Sequence, residues 1–319
     1  MSHFLFSVLL SAICTVLTQA QAQAQDFPVK PLRIVTSEVG GATDMVARLI
    51  AQGMTASLGH QVVVENRPTG IIPSEIVVKA APDGYTLLVH GVSLWMMPLL
   101  QKMPFDPLKD LVPITLAAST PSIVAVHPSV AAKSIRELIA LAKARPGTLN
   151  YASGATGASS HLSAELFNAM AEVKIVRIPY RGQGPAVLAL LAGEVQVAFA
   201  TASSVSAHAK SGRMRALAIT TAKPSLLAPG IPTVAESGLP GYESASTAGA
   251  FAPKATPAKL VALLNREMVR ALNRVETKEA LFNGGTEVVG SSPQEFAAAM
   301  KAEMARMGKV IRDAGIRSE

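Results

Sequence analysis

Short apolar runs alternate with helical patterns along most of this chain, and that alternation restricts the fold more than any other feature. Leu32–Thr36, Gln61–Glu65 and Tyr85–Val89 read as strands. Helical patterns lie between them: Asp44–Leu58, with Val46, Leu49, Ile50 and Met54 on one face, and Ile71–Ala80. The turn Pro82-Asp83-Gly84 opens the third strand. Further strands are predicted at Ile123–His127, Leu149–Ala152, Lys174–Pro179, Val195–Ala200 and Arg215–Thr220. Helices carry their own boundaries. Ser134-Ile-Arg-Glu137 is a capping box whose helix ends near Arg145-Pro146-Gly147, and Gly184-Pro185 opens a helix that Gly193 closes. Thr256-Pro257 starts Pro257–Leu272, and Ser292-Pro-Gln-Glu295 starts the long amphipathic stretch Pro293–Ile311. Strand–helix alternation of this kind implies parallel sheets with helices on both faces, an α/β protein.

Residues 1–24 stand apart. Phe4–Leu17 is almost wholly apolar and is followed by Thr18-Gln-Ala20-Gln-Ala22-Gln-Ala24, overlapping Ala-x-Ala steps that suit signal peptidase. The run is shorter than the ~20 residues that span a bilayer, so the expectation is a cleaved signal peptide over 1–24, a periplasmic location and no membrane span afterwards. Cys14, the only cysteine, falls inside that segment, which leaves residues 25–319 without thiol, disulfide or cysteine-based redox chemistry. Those residues suffice for two domains, and the order of elements places them at 25–124 with 246–319, and 125–245. Two strands would cross between them, near Ser122–Val126 and Ala245–Ala252, giving a cleft and a hinge. The net charge of +7 is spread without a basic run, and aromatics make up only 4%. That pattern points away from nucleic acid and toward encounter with anionic solutes. No heptad seam is present, and a monomer is expected.

Three strand-to-helix turns share one design, rich in Gly, Ser and Thr. They are Ser37-Glu38-Val39-Gly40-Gly41-Ala42-Thr43-Asp44, Ser153-Gly154-Ala155-Thr156-Gly157-Ala158-Ser159-Ser160, with His161 next to it, and Tyr180-Arg181-Gly182-Gln183-Gly184-Pro185. Free backbone N–H groups and the helix dipole at such turns bind anions without charged side chains, and in open α/β sheets ligands sit beyond the strand C-termini. Gly91, Ser93 and Thr201 follow two further strands and join the candidate ligand-binding set. The other reading is that Gly and Ser serve only turn geometry and capping.

Catalytic readings fare worse. The six histidines, His3, His60, His90, His127, His161 and His208, form no zinc-protease pair, there is no Walker A motif, and Gly182-Gln-Gly184-Pro-Ala-Val187 lacks the third glycine of a dinucleotide loop. In Gly91-Val-Ser93-Leu-Trp95 a tryptophan stands where a nucleophile elbow needs glycine. A hydrolase would use Ser93 or Ser160 with His161 and an acid behind it. Trp95-Met96-Met97 suits a pocket or a core equally. No catalytic residue, metal or cofactor is expected.

An ordered series of segments then resembles one family. Phe27-Pro-Val-Lys-Pro-Leu-Arg-Ile, Gly40-Gly-Ala-Thr-Asp44, Val63-Val-Glu-Asn-Arg-Pro68, Lys79-Ala-Ala-Pro-Asp-Gly-Tyr-Thr-Leu-Leu88 and Pro104-Phe-Asp-Pro-Leu-Lys-Asp110 are similar to the Bug proteins, solute receptors of tripartite tricarboxylate transporters. So are Leu149-Asn-Tyr-Ala-Ser-Gly154, Ile178-Pro-Tyr-Arg-Gly182, Pro232-Thr-Val-Ala-Glu236 and Phe251-Ala-Pro253. The resemblance implies a type II periplasmic-binding-protein fold, no cofactor, and capture of a small organic acid or amino-acid-like ligand by domain closure. It implies backbone amides and waters as the carboxylate grip, and a membrane permease as partner, a membrane sensor being the alternative. Three departures bear on the ligand. Ser37-Glu38-Val39 replaces a loop that usually has prolines and a phenylalanine, Thr69-Gly70-Ile71-Ile72-Pro73 replaces a glycine-rich one, and Thr247 stands where an aromatic is usual. Glu38 either opposes a second carboxylate, favouring a more apolar monocarboxylate, or points to solvent; two like charges ~4 Å apart repel by about 4 kcal/mol at an effective dielectric near 20.

Overall fold

The computed structural model describes residues 27–37, 39–40, 42–67, 71–154 and 156–316. The expected signal segment, with Cys14, lies outside them, as do Glu38 and Gly41. β1 (Leu32–Thr36), α1 (Ala42–Leu58), β2 (Val62–Asn66), α2 (Ile72–Val78) and β3 (Thr86–Gly91) follow the predicted order, with β1 parallel to both neighbours. Val46, Ile50 and Met54 of α1 are fully buried against this sheet, each a gain of roughly 1.5–3 kcal/mol.

After α3 (Ser93–Leu100) and α4 (Pro107–Asp110), β4 (Leu111–Val126) runs for 16 residues. It is followed by α5 (Ile135–Ala144), β5 (Asn150–Ser153), α6 (Ser159–Ala171), β6 (Val176–Pro179), α7 (Gln183–Ala192), β7 (Val197–Thr201), α8 (Ala202–Lys210) and β8 (Arg215–Ile219). β9 (Ala245–Pro253), α9 (Ala258–Leu272), α10 (Val275–Asn283), β10 (Glu287–Val288) and α11 (Pro293–Asp313) complete the chain.

β4 belongs to two sheets. Its first part, Leu111–Pro121, pairs with β9, and the sheet continues through β3 and β1 to β2. Its last five residues, Ser122–Val126, pair with β7 and β8, and the sheet continues through β5 to β6. The change falls at Pro121, which has no N–H to donate and is tolerated where one ladder ends and another begins. Thr220, fully buried, clips the two crossings together. Its N–H and hydroxyl both donate to Ser122 O, at 2.8 and 3.0 Å, and its carbonyl accepts from Ser244 N–H at 2.9 Å. The second crossing therefore lies at Ser244–Ala245. It precedes the predicted Ala245–Ala252, because β9 pairs with β4 of the first sheet from Ala245 onward.

α9 returns to the first sheet and rests on α1. There Gly53 faces Ala271 so closely that an added Cβ would lie 2.3 Å from the alanine Cβ. α11 lies on β4 and α3 and reaches α6, so one apolar core, from Trp95 and Phe296 to Phe167 and Phe199, runs behind both sheets. The Ser292 capping box is complete, whereas at α5 Ser134 caps Glu137 N–H but Glu137 reaches back to Lys133 N–H instead. No helix among the described residues is long and apolar enough to cross a membrane.

Candidate ligand-binding site

Strand register brings the predicted turns together. Gly91, at the end of β3, pairs with Ala248, which pairs with Ala118 of β4. Thr201, at the end of β7, pairs with Ser122 of the same strand. Four residues of strand separate those points, roughly 13 Å at the usual rise. The turns after β1, β5 and β6 lie beside them on the same strand ends, because these strands are parallel to β3 or β7. The lobes touch on both flanks: a Cβ on Gly157 would meet Leu100 Cδ1 at 2.6 Å, and one on Gly285 would meet Ser203 Cβ at 2.7 Å.

The first wall is braced by an acid. Asp44, 3% exposed, accepts from Gly40 N–H at 2.9 Å, Asn66 Nδ2 at 2.8 Å and Arg48 Nε. Burial alone would raise its pKa, but hydrogen bonds from Arg48, Gly40 and Asn66, with the Arg48 charge, hold it below the usual value of 3.8. Asn66 also donates to Ser37 O, and Ser37 Oγ shares a hydrogen bond with Thr43 Oγ1 at 2.8 Å. Thr43 in turn lies against Gly91, where an added Cβ would meet its methyl at 3.6 Å. Ser93 begins α3, and its helix has no side-chain cap.

The second wall is braced by a base. Arg177, on β6, donates to Ser153 Oγ at 2.7 Å, Gly154 O at 2.9 Å and Thr156 Oγ1 at 3.1 Å. Ser153 is fully buried and spends its own hydrogen on Gly154 O. Two predicted amide donors are used inside the turn. Gly154 N–H goes to Ser160 Oγ at 3.1 Å, and Gly157 N–H goes to His161 Nδ1 at 3.1 Å. His161 is 4% exposed, and burial, then the Arg177 charge, lowers its pKa to about 4, so it is a neutral turn-closing group at pH 7. Ser160 and His161 thus each bond to a backbone amide rather than to one another.

The remaining polar surface comes from α7 and α8. The first turn of α7, Gln183 and Gly184 after Gly182, has no side-chain cap, and added Cβ atoms on Gly182 or Gly184 would face open space. Gln183 Nε2 lies 3.4 Å from Thr201 Oγ1 and 3.3 Å from Ser204 Oγ. Tyr180 is half-buried against the apolar cluster of the second lobe, with its hydroxyl 3.5 Å from Glu194 Oε2. Trp95 is buried core and also lines a cavity behind the cleft. Reasoning from sequence placed Asp44 in the first turn without giving it a role, and it missed Arg177. Arg177 left a signal, a charge inside the apolar run Lys174–Pro179. Among the described residues no group of His, Cys, Asp or Glu could hold a metal ion.

Two α/β lobes joined by crossing strands, with glycine-rich turns meeting at the crossing, define a type II periplasmic-binding-protein fold. Residues 46–316 match the Tripartite tricarboxylate transporter family receptor, and the chain belongs to that family. It is a solute-binding receptor and not an enzyme. It is 36% identical over 317 residues to Protein BugT of Bordetella pertussis, covering 98% of this chain and 97% of that one. It also resembles the solved structure of R. palustris Rpa4515 with adipate, at 35% identity and TM-score 0.74, over 92% of this chain and 99% of that one. MatC (Rpa3494) from Rhodopseudomonas palustris with bound malate is similar at 30% identity and TM-score 0.71, over 89% and 100%.

Proposed function

We propose that this receptor captures a small carboxylate-bearing metabolite between its lobes in the periplasm and hands it to a membrane permease. The observation that supports the reading is that strand register brings the C-terminal ends of β1, β3, β5, β6 and β7, which lead into the Ser37–Thr43, Gly91–Ser93, Ser153–Ser160, Tyr180–Gly184 and Thr201–Ser204 turns, to either side of the Ala118–Ser122 stretch of β4. Helix N-termini and hydroxyls gathered there suit a carboxylate, and the adipate and malate complexes of similar receptors support that chemistry. The lobes would be residues 25–124 with 246–319, and 125–245, following a signal peptide over 1–24. They would close as a monomer about Pro121–Ser122 and Ser244–Ala245.

A thermal-shift screen of the protein against mono- and dicarboxylates, amino acids and their uncharged amides tests this reading. Stabilisation by acids and none by the matching amides is expected, since a ligand bound only to the native state raises its stability. Equal shifts from acids and amides would remove the carboxylate from the proposal.

A further inference from the structure

On each flank of the cleft a glycine of one lobe receives a side chain of the other. Gly157, in the turn after β5, faces Leu100 at the end of α3, and a Cβ there would stand 2.6 Å from Leu100 Cδ1. Gly285, between α10 and β10, faces Ser203 in the first turn of α8, and a Cβ there would stand 2.7 Å from Ser203 Cβ and 2.8 Å from its Oγ. The second contact is the stiffer. Leu100 presents the end of a flexible side chain, whereas Ser203 Cβ is one bond from the backbone of α8. The turn it meets is anchored to the first sheet. Gly285 N–H donates to Phe282 O at 2.9 Å, and the buried Thr286 hydroxyl shares a hydrogen bond with Thr120 Oγ1 of β4 at 2.9 Å. Glu287, next along, pairs with Ser119 of β4. Ser203 in turn reaches the cleft, its Oγ 3.2 Å from Thr201 Oγ1.

Both sides of the Gly285–Ser203 contact are held, and there is no room between them for one more carbon. We propose that this pair sets how far the lobes close and thereby determines the length of ligand the cleft accepts. The inference rests on the capture of a carboxylate between the lobes, as proposed above, and adds what selects its length. Non-bonded carbons settle ~3.5–4.0 Å apart, so a methyl at 285 would part this flank by about 1 Å. A methyl there also strains the backbone, because Gly285 has φ +76°. The two effects can be separated. With glycine at 203, the nearest atom of that residue to the methyl would be its Cα at 3.7 Å, an ordinary contact. Ser203→Gly therefore removes the clash and leaves the strain, while Ser203→Ala removes the hydroxyl and leaves the clash.

A cross-link tests the contact without any ligand. Cys14 is the only cysteine in the chain, so Ser203→Cys with Gly285→Cys in a Cys14→Ala background supplies a single pair of thiols. A parting of about 1 Å brings their Cβ atoms into the ~3.5–4.5 Å range of a disulfide. The disulfide should form under mild oxidation, and its absence overturns the proposal. Calorimetry with straight-chain dicarboxylates from malonate to suberate, and with the matched monocarboxylates, tests the gauge. Gly285→Ala should move the preferred acid at least one methylene longer and weaken the acid that wild type prefers by about tenfold or more, the usual effect of one methylene in a fitted site. Adding Ser203→Gly should restore the wild-type preference, and adding Ser203→Ala should not. Thermal unfolding verifies each variant, and Ser203→Val, which adds bulk from the other side without a strained φ, serves if Gly285→Ala unfolds the protein. Equal weakening at every length, or equal rescue by glycine and alanine at 203, overturns the gauge while capture of a carboxylate stands. Binding of no acid by the wild type overturns capture itself and the gauge with it, whether or not the disulfide forms.

Discussion

The two turns that face one another across the cleft are held in place by side chains of opposite charge. On the first wall a buried carboxylate, Asp44, takes the Gly40 N–H and so removes a donor from the cleft. On the second wall the Arg177 guanidinium takes Ser153 Oγ, Gly154 O and Thr156 Oγ1 and so removes acceptors. Each brace uses up the atoms it touches. The second wall also spends donors internally, Gly154 N–H on Ser160 Oγ and Gly157 N–H on His161 Nδ1, so what sets it apart is the nearby Arg177 charge and the uncapped start of α7. On the proposed function a carboxylate would rest on the second wall, beside that charge, and the first wall would select the rest of the ligand.

The sharpest way to break this comparison is Arg177→Gln. It removes the charge and at least part of a three-point brace, and affinity for the carboxylate that the thermal-shift screen selects should fall about hundredfold, equivalent to ~2.8 kcal/mol, by calorimetry. Asp44→Asn should do the reverse. It should cost about 2 kcal/mol of stability in denaturant unfolding, because a buried, hydrogen-bonded charge loses its interaction with Arg48, while affinity changes less than in Arg177→Gln. Asp44 is held below 3.8 in the native protein. Its contribution is therefore present above that value and is lost as pH falls through the native pKa, so wild type and Asp44→Asn should converge in stability in acid. Equal losses of affinity in the two variants would mean that both walls hold the anion.

The turns were legible because their chemistry is local: Gly, Ser and Thr between an apolar strand and a helix. The braces were not, since each acts across sequence. Arg177 reaches back to 153–156 from the next strand, and Asp44 reads simply as an acid in the first helical turn. β4 escaped prediction over Leu111–Pro121 because Pro113, Ser119, Thr120 and Pro121 imitate a loop. The strand tolerates them where its register with β9 shifts, between Pro113 and Thr115, and where it changes sheets. α8 was missed, having a serine-rich N-terminal turn without a clear apolar period, and α6, whose start after the Ser153–Ser160 turn was read, was given no extent. Even so, the predicted β-α order fixed which turns would meet.

Glu38 lies outside the described residues, but the sequence sets it between Ser37 and Gly40, which the Asp44 network holds, and a carboxylate turned toward the ligand there would penalise a dicarboxylate. Glu38→Gln should improve binding of dicarboxylates relative to matched monocarboxylates by about tenfold, less than the bare repulsion because solvent screens it. A wild type that already prefers dicarboxylates, with no change in Glu38→Gln, would remove Glu38 from selectivity.

The smallest expected effect tests the donor argument atom by atom. A threonine hydroxyl has one hydrogen and two lone pairs. With Arg177 Nη1 donating to Thr156 Oγ1 at 3.1 Å, its hydrogen is directed away from the guanidinium and is free for a ligand oxygen. Thr156→Val keeps the branched shape and deletes that hydrogen, and because the site is exposed, water can satisfy the guanidinium in its place. Affinity should fall by only about two- to tenfold, the worth of one ordinary hydrogen bond, while Thr156→Ser stays near wild type. Gly182→Val supplies the contrast, since its side chain would project into open space at the start of α7 and should obstruct the amides there. If Thr156→Val binds normally while Gly182→Val does not, the carboxylate rests on the α7 terminus and Arg177 acts by shaping the turn. If Thr156→Val loses as much as Arg177→Gln, the hydroxyl is the main anchor and the guanidinium works through it.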